Sequence, residues 1–245
     1  MRTQTELLSE TDWNVLVILD ACRADYFHTL CDGRAEVVRS PAPCTRRWFH
    51  AMLDEGLLDD ACYVNANPVV QDVVTKRDDV PLEVHYFRRG AEGTVYPESL
   101  TDRVLNSVQD DGQPKRLVVH YLQPHLPNIG SWEEARDAWP DEETCDNRPY
   151  AANLHRAWMS VRRLARGLRG RVVITADHGE VLGELEGRRG HECHWDHRVL
   201  YRVPWLELEP GVPTDGPAAD WRRDGEDEPD DDKIRERMRK LGYVG

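Results

Sequence analysis

The sequence predicts one α/β domain: a doubly wound, mostly parallel sheet with helices on both faces, followed by a short acidic tail with a terminal helix. Three observations carry this prediction. The 245 residues are enough for one sizeable core. The apolar runs are continuous rather than alternating, which suits parallel strands covered on both faces. Helical stretches alternate with those runs throughout, which implies right-handed crossovers.

The elements follow in order. "NVLVIL" at 14–19 reads as the first buried strand, and "DACRADYFHTL" passes from a turn into helical character. "AEVVRS" at 35–40 is extended, and "TRRWFHAMLDEG" is a helix ended by Gly56. "ACYVNAN" and "LEVHYFRR" are further strand candidates. In "PESLTDRVLNSVQ", Leu100, Val104 and Val108 recur at helical spacing behind Pro97, which suits a first helical position. "RLVVHYLQ" at 116–123 is again a buried strand. "YAANLHRAWMSVRRLARGL" sets Leu154, Trp158, Val161, Leu164, Ala165 and Leu168 on one helical face with arginines opposite. It feeds the strand "RVVITA", and "RVPWLELE" is the last strand. The reading divides the chain into a catalytic core at 1–210 and, at 211–245, an acidic linker rich in Pro, Gly and Asp with a C-terminal helix.

Composition excludes some classes of function. A net charge of −13 argues against a nucleic-acid partner and against attraction to anionic lipid. No run approaches the length of a membrane span, and the N-terminus carries no apolar signal segment, so a cytoplasmic location is expected. The six cysteines show neither C-x-x-C pairs nor disulfide-framework spacing, so reduced, mostly buried thiols are expected. Oligomeric state is left open.

In open α/β sheets, ligands sit beyond the carboxyl ends of the strands. Asp20 follows the run at 14–19. His120, Gln123 and His125 lie within and after the run at 116–119, and Asp177 and His178 follow 172–176. Two carboxylates and an imidazole suit a divalent ion such as Zn²⁺, Mn²⁺, Mg²⁺ or Ca²⁺. Such an ion neutralises phosphate or sulfate oxygens and activates a hydroxyl, and Thr45, after a strand and at a helix start, supplies one. Arg46 and Arg47 lie beside it. Plainer readings stand for each residue: Asp20 and Thr45 as helix N-caps, His120 as a satisfied core histidine, and His191, His194 and His197 in "GHECHWDH" as a solvated loop.

"NVLVILDACRADYF", "APCTRRW", "HYLQPHLPNIG", "ITADHGEVLGE" and "GHECHW…YRVPWLEL" follow in order the motif series of the alkaline phosphatase and sulfatase superfamily. Residues 13–208 resemble its sulfatase-like branch, whose relatives include phosphonate monoester hydrolases and lipoteichoic acid synthases. The resemblance implies an alkaline phosphatase-like fold, with Asp20, Thr45, Asp177 and His178 as metal ligands; with no evident second set of Asp and His ligands in the sequence, one ion is expected rather than two. The resemblance makes Thr45 the nucleophile, His125 and His191 the groups that contact substrate or protonate the leaving oxygen, and Arg47 a grip on the anion. The arylsulfatase pattern C-x-P-x-R is not matched by Cys44-Thr45-Arg46-Arg47-Trp48. The final "LGYVG" resembles the ends of archaeal sulfatase-like chains, and the acid-rich, lysine-poor composition of the whole chain resembles that of proteins of salt-loving archaea.

The implied activity is metal-dependent hydrolysis of phosphate, or less favourably sulfate, esters through a covalent phosphothreonine. Two alternatives stand beside it. One is transfer of a phospho-alcohol or sulfuryl group onto a glycan or lipid; the other is a non-catalytic binding relative. The expected partner in the enzymatic readings is a small-molecule, glycan or lipid ester.

Overall fold

A computed structural model of the protein describes residues 1–88, 90, 93–139 and 147–208. The acidic segment 211–245 and its expected helix lie outside the described residues, as does Cys145. In chain order the elements are α1 (Gln4–Glu10), β1 (Val15–Leu19), α2 (Ala24–Leu30), β2 (Glu36–Arg39), α3 (Thr45–Asp54) and β3 (Cys62–Asn65). There follow α4 (Pro68–Lys76), β4 (Glu83–Tyr86), α5 (Pro97–Asp111), β5 (Leu117–Tyr121), α6 (Trp132–Ala135) with a 3-10 turn at Arg136–Ala138, and α7 (Arg148–Gly167). The series ends with β6 (Val172–Thr175), β7 (Val181–Leu185), β8 (Arg188–Gly190), α8 (Arg198–Tyr201) and β9 (Arg202–Leu208).

Seven strands form one sheet in the order β2-β9-β6-β1-β5-β3-β4. The expectation of a doubly wound, mostly parallel sheet holds: β6, β1, β5, β3 and β4 are parallel, and only β9 runs against its neighbours β6 and β2. β1 lies at the centre, with Val17 beside Val119 of β5 and Ile174 of β6. Every residue of β1 is buried, which requires cover on both faces and explains its unbroken apolar run. Complete burial of one such side chain stabilises by about 1.5–3 kcal/mol. The cover comes from amphipathic helices, with α5 packed on α7 and α3 on α4. Of the expected stripe, Leu154, Trp158, Val161 and Leu164 on α7 and Leu168 at its C-cap are buried, and Ala165 is half-buried.

Two features at the rim matter for the site. Helix α1 opens with a capping box in which Thr3 and Glu6 satisfy each other's backbone N–H groups. Its Gln4 is fully buried, donating from Nε2 to Thr175 Oγ1 (2.8 Å) and to the Ala176 carbonyl (2.7 Å), and accepting from the Trp48 indole (2.7 Å). One side chain thus ties the end of β6 to α3. The hairpin β7–β8, antiparallel and outside the main sheet, was not expected from the sequence; its short strands carry no continuous apolar run.

The thiols correct an expectation. Cys22, Cys31 and Cys62 are free, but Cys44 and Cys193 form a disulfide with Cα atoms 5.2 Å apart. The two lie 149 residues apart, so no local spacing announces the pair, and only the closing of the sheet brings them together.

Candidate metal centre and nucleophile

The parallel strands deliver their C-terminal ends to one rim, and the polar residues that follow them converge there. Asp20 follows β1, Asn67 follows β3, and Asp177 and His178 follow β6. Thr45 is the first residue of α3. All five are buried, with Asp177 and His178 fully inaccessible.

The capping explanations for Asp20 and Thr45 fail on geometry. Helix α2 starts only at Ala24, with Arg23 at its N-cap, and α3 is capped by Cys44 without a side-chain bond. The Thr45 hydroxyl instead donates to Asp177 Oδ2 (2.7 Å) and lies 3.2 Å from His178 Nε2. His178 Nε2 is 3.3 Å from Asp177 Oδ2 and 3.7 Å from Asp20 Oδ1. Donor atoms about 2 Å from a common ion lie roughly 3–3.5 Å apart, so this set fits a divalent cation. The His178 ring is oriented for it. Nδ1, 2.8 Å from the Gly179 carbonyl, carries the proton, which leaves a bare lone pair on Nε2 facing the carboxylates.

Local backbone supports this placement. Ala21 sits at φ +60°, a conformation that costs energy in a non-glycine residue. It is held by its N–H donating to Asp177 Oδ1 (3.1 Å) and its carbonyl accepting from the Tyr150 hydroxyl (2.7 Å). Gly179 answers a close approach: a Cβ there would lie 1.9 Å from the Val199 carbonyl oxygen. Its N–H donates to the Leu200 carbonyl (2.8 Å), seating the 177–179 turn on α8.

Burial dominates the electrostatics. It pushes His178 and His120 down to about 4, so both rings are neutral at ordinary pH. Burial alone would raise the Asp177 carboxyl. The neighbouring His178 and His120, the Thr45 hydroxyl and the Ala21 N–H outweigh it and hold Asp177 below the usual range.

His125 and His191 stand at the edge of this cluster. Their ring centroids are 5.0 Å apart, and His191 lies 4.1 Å from the His178 ring. The His125 backbone N–H donates to the Asp20 carbonyl (3.1 Å), and Asn153 Nδ2 donates to the carbonyls of Pro124 (2.9 Å) and His125 (3.1 Å). The two rings titrate in opposite directions. Burial and the nearby His191 lower His125. For His191, burial is overcome by Glu180, which accepts from Nδ1 at 2.8 Å, so its pKa rises. The disulfide Cys44–Cys193 binds the segment carrying His191 to the residue before Thr45.

The remaining sequence candidates fall elsewhere. Arg47 is exposed on α3, and among the described residues no hydrogen bond or ion pair joins it to the cluster. Gln123 turns inward, donating to Thr94 Oγ1 (2.8 Å). His194 meets the Trp195 ring edge-on, and His197 stands at the N-cap position of α8 without a side-chain capping bond. Sequence reading missed Asn67, whose Nδ2 donates to Asp20 Oδ2 (2.6 Å), and Glu180; Asn67 ends a recognised strand, so the rim rule applied to "ACYVNAN" points to it.

No family model and no curated protein matches the chain. Solved structures do. The C-terminal periplasmic domain of EcEptC from Escherichia coli, in complex with Zn, superposes with a TM-score of 0.54 at 15% identity, covering 82% of this chain and 74% of that one. The integral membrane protein lipooligosaccharide phosphoethanolamine transferase A (EptA) from Neisseria meningitidis gives 0.57 at 15% identity, over 80% of this chain and 47% of that one. The lipoteichoic acid synthase LtaP from Listeria monocytogenes gives 0.50 at 12% identity, over 83% and 67%. Among the described residues no helix is long and apolar enough to cross a membrane. The neighbours belong to the alkaline phosphatase superfamily, and the likeness shows that this chain has the alkaline phosphatase-like α/β fold.

Proposed function

We propose that the chain is a metal-dependent transferase that moves a phospho-alcohol group from an ester donor, through a covalent phosphothreonine, to a hydroxyl of a glycan or lipid acceptor. Hydrolysis is the same reaction with water as acceptor. Transfer is preferred because the phosphoethanolamine transferase and lipoteichoic acid synthase named above share the fold. The observation that carries the reading is the Thr45 hydroxyl buried among Asp20, Asp177 and His178 at spacings that suit one ion.

Asp20, Thr45, Asp177 and His178 would hold a divalent ion, which would supply positive charge to the phosphoryl oxygens and to the Thr45 oxygen, while the Thr45 hydroxyl proton leaves to water. The Thr45 oxygen then attacks phosphorus while the bond to the leaving oxygen breaks in line. His191, its pKa raised by Glu180, delivers the proton to that oxygen. In the second half the acceptor hydroxyl attacks the phosphothreonine, the now neutral His191 takes its proton, and Thr45 is released. His125, neutral, faces the same space and orients the reacting group.

The test incubates Zn-loaded protein with a phospho-alcohol ester, with and without an alcohol acceptor. Intact-mass measurement should reveal an adduct on Thr45, and turnover should rise with acceptor above the rate of hydrolysis. Thr45→Ala and Asp177→Asn should lose both. Full activity in both variants removes the assignment, hydrolysis indifferent to acceptor returns it to a phosphoesterase, and tight metal binding without turnover across an ester panel makes the chain a binding relative.

A further inference from the structure

His120 lies in the middle of the sheet, paired in register with Ile18 of β1 and Asn65 of β3, and is fully buried. It is not the satisfied core histidine that its sequence position suggested. Nδ1 lies 2.9 Å from the Tyr63 hydroxyl, but Nε2 makes no hydrogen bond and faces Asp177 Oδ2 at 3.9 Å. A buried nitrogen without a partner is costly and demands a reason.

Counting protons settles which nitrogen carries one. The buried Tyr63 phenol keeps its proton, and among the described residues its hydrogen-bond partner is His120 Nδ1. If Nδ1 also carried a proton, the phenol hydrogen would have no acceptor. The hydroxyl therefore donates to Nδ1, and the neutral ring holds its own proton on Nε2, aimed at Asp177.

Asp177 offers that proton an acceptor. Its Oδ1 accepts from the Ala21 and His178 N–H groups, but Oδ2 depends on the Thr45 hydroxyl at 2.7 Å. Among the described residues, the other N–H facing Oδ2 is that of His120.

We propose that His120, oriented by Tyr63, is a positioning residue for the metal-holding carboxylate: its Nε2–H, aimed at Asp177 Oδ2, steadies that oxygen electrostatically. The inference rests on the reading of the site as a metal centre with Thr45 as nucleophile.

The experiment measures Zn affinity by competition with a chromophoric chelator, and records the visible spectrum of the Co(II)-loaded protein, for wild type, His120→Ala, His120→Gln, Tyr63→Phe and the double variant Tyr63→Phe/His120→Ala. Thermal melting of the metal-free proteins verifies folding. His120→Ala should weaken metal binding about 10- to 100-fold, and Tyr63→Phe should weaken it less. The double variant should match His120→Ala alone, and His120→Gln, which keeps an N–H of similar reach, should recover part of the loss. Wild-type affinity and spectrum in a folded His120→Ala overturn the inference, as does full additivity of the two substitutions. If His120→Ala does not fold, His120→Gln and Tyr63→Phe decide: wild-type affinity in both sinks the proposal. Failure of the wild type to bind metal counts against the underlying site instead.

Discussion

At the scale of single residues, the proposed reaction divides labour between two neighbouring imidazoles. His191 is raised by its Glu180 partner, whereas His125 is lowered by burial and by His191 itself. A step that needs protonated His191 proceeds below its folded pKa and fails as pH rises through it, so the alkaline limb of kcat should report this residue. Glu180→Gln removes the acceptor charge and should shift that limb to lower pH while leaving Zn affinity within a few-fold; an unmoved limb would assign the proton donor elsewhere. Individual residues were unevenly legible. Asp20, Asp177 and His178 stood out because they end apolar runs, and Thr45 because it opens a helix after a strand. His120 carried the same signal, yet its role depends on Tyr63 and on one unpartnered nitrogen, which only coordinates reveal. Glu180 and Asn67 act through contacts to His191 and Asp20, and no spacing within the chain announces such pairs.

At the scale of elements, the central strands were readable because burial on both faces demands an unbroken apolar run, and the long helices because one face must be apolar. The short elements were not. Helix α1 has only seven residues, although Thr3 and Glu6 spell a capping box, and the β7–β8 hairpin has short, partly exposed strands. That β9 runs antiparallel could not be read either, since pairing direction is decided by the path of the intervening chain. The segment leading into it nonetheless anchors the site, because α8 meets the 177–179 turn at Gly179. Gly179→Ala drives a methyl into the Val199 carbonyl and should destabilise by about 1–3 kcal/mol, read as a lowered melting temperature together with weakened metal binding. A melting curve equal to wild type would show that α8 yields freely.

At the scale of the whole molecule, the disulfide joins two segments that sheet topology alone brings together. In a chain-entropy account a link across a loop of this length stabilises by at most about 5 kcal/mol. Its position also suits the proposed catalysis, since Cys44 precedes the proposed nucleophile and Cys193 follows the proposed acid by two residues. Reduction, or Cys193→Ser, should lower the melting temperature and depress kcat more than Zn affinity, because Cys193 is no donor to the ion. Equal kcat in oxidised and reduced protein would make the link purely structural. A quieter tether lies at the other end of the chain. Gln4 satisfies the Trp48 indole, the Thr175 hydroxyl and the Ala176 carbonyl at once, one residue behind Asp177. A version trimmed to begin at Trp13 would therefore keep every residue assigned to chemistry, yet open a wet gap directly beneath the rim that holds them.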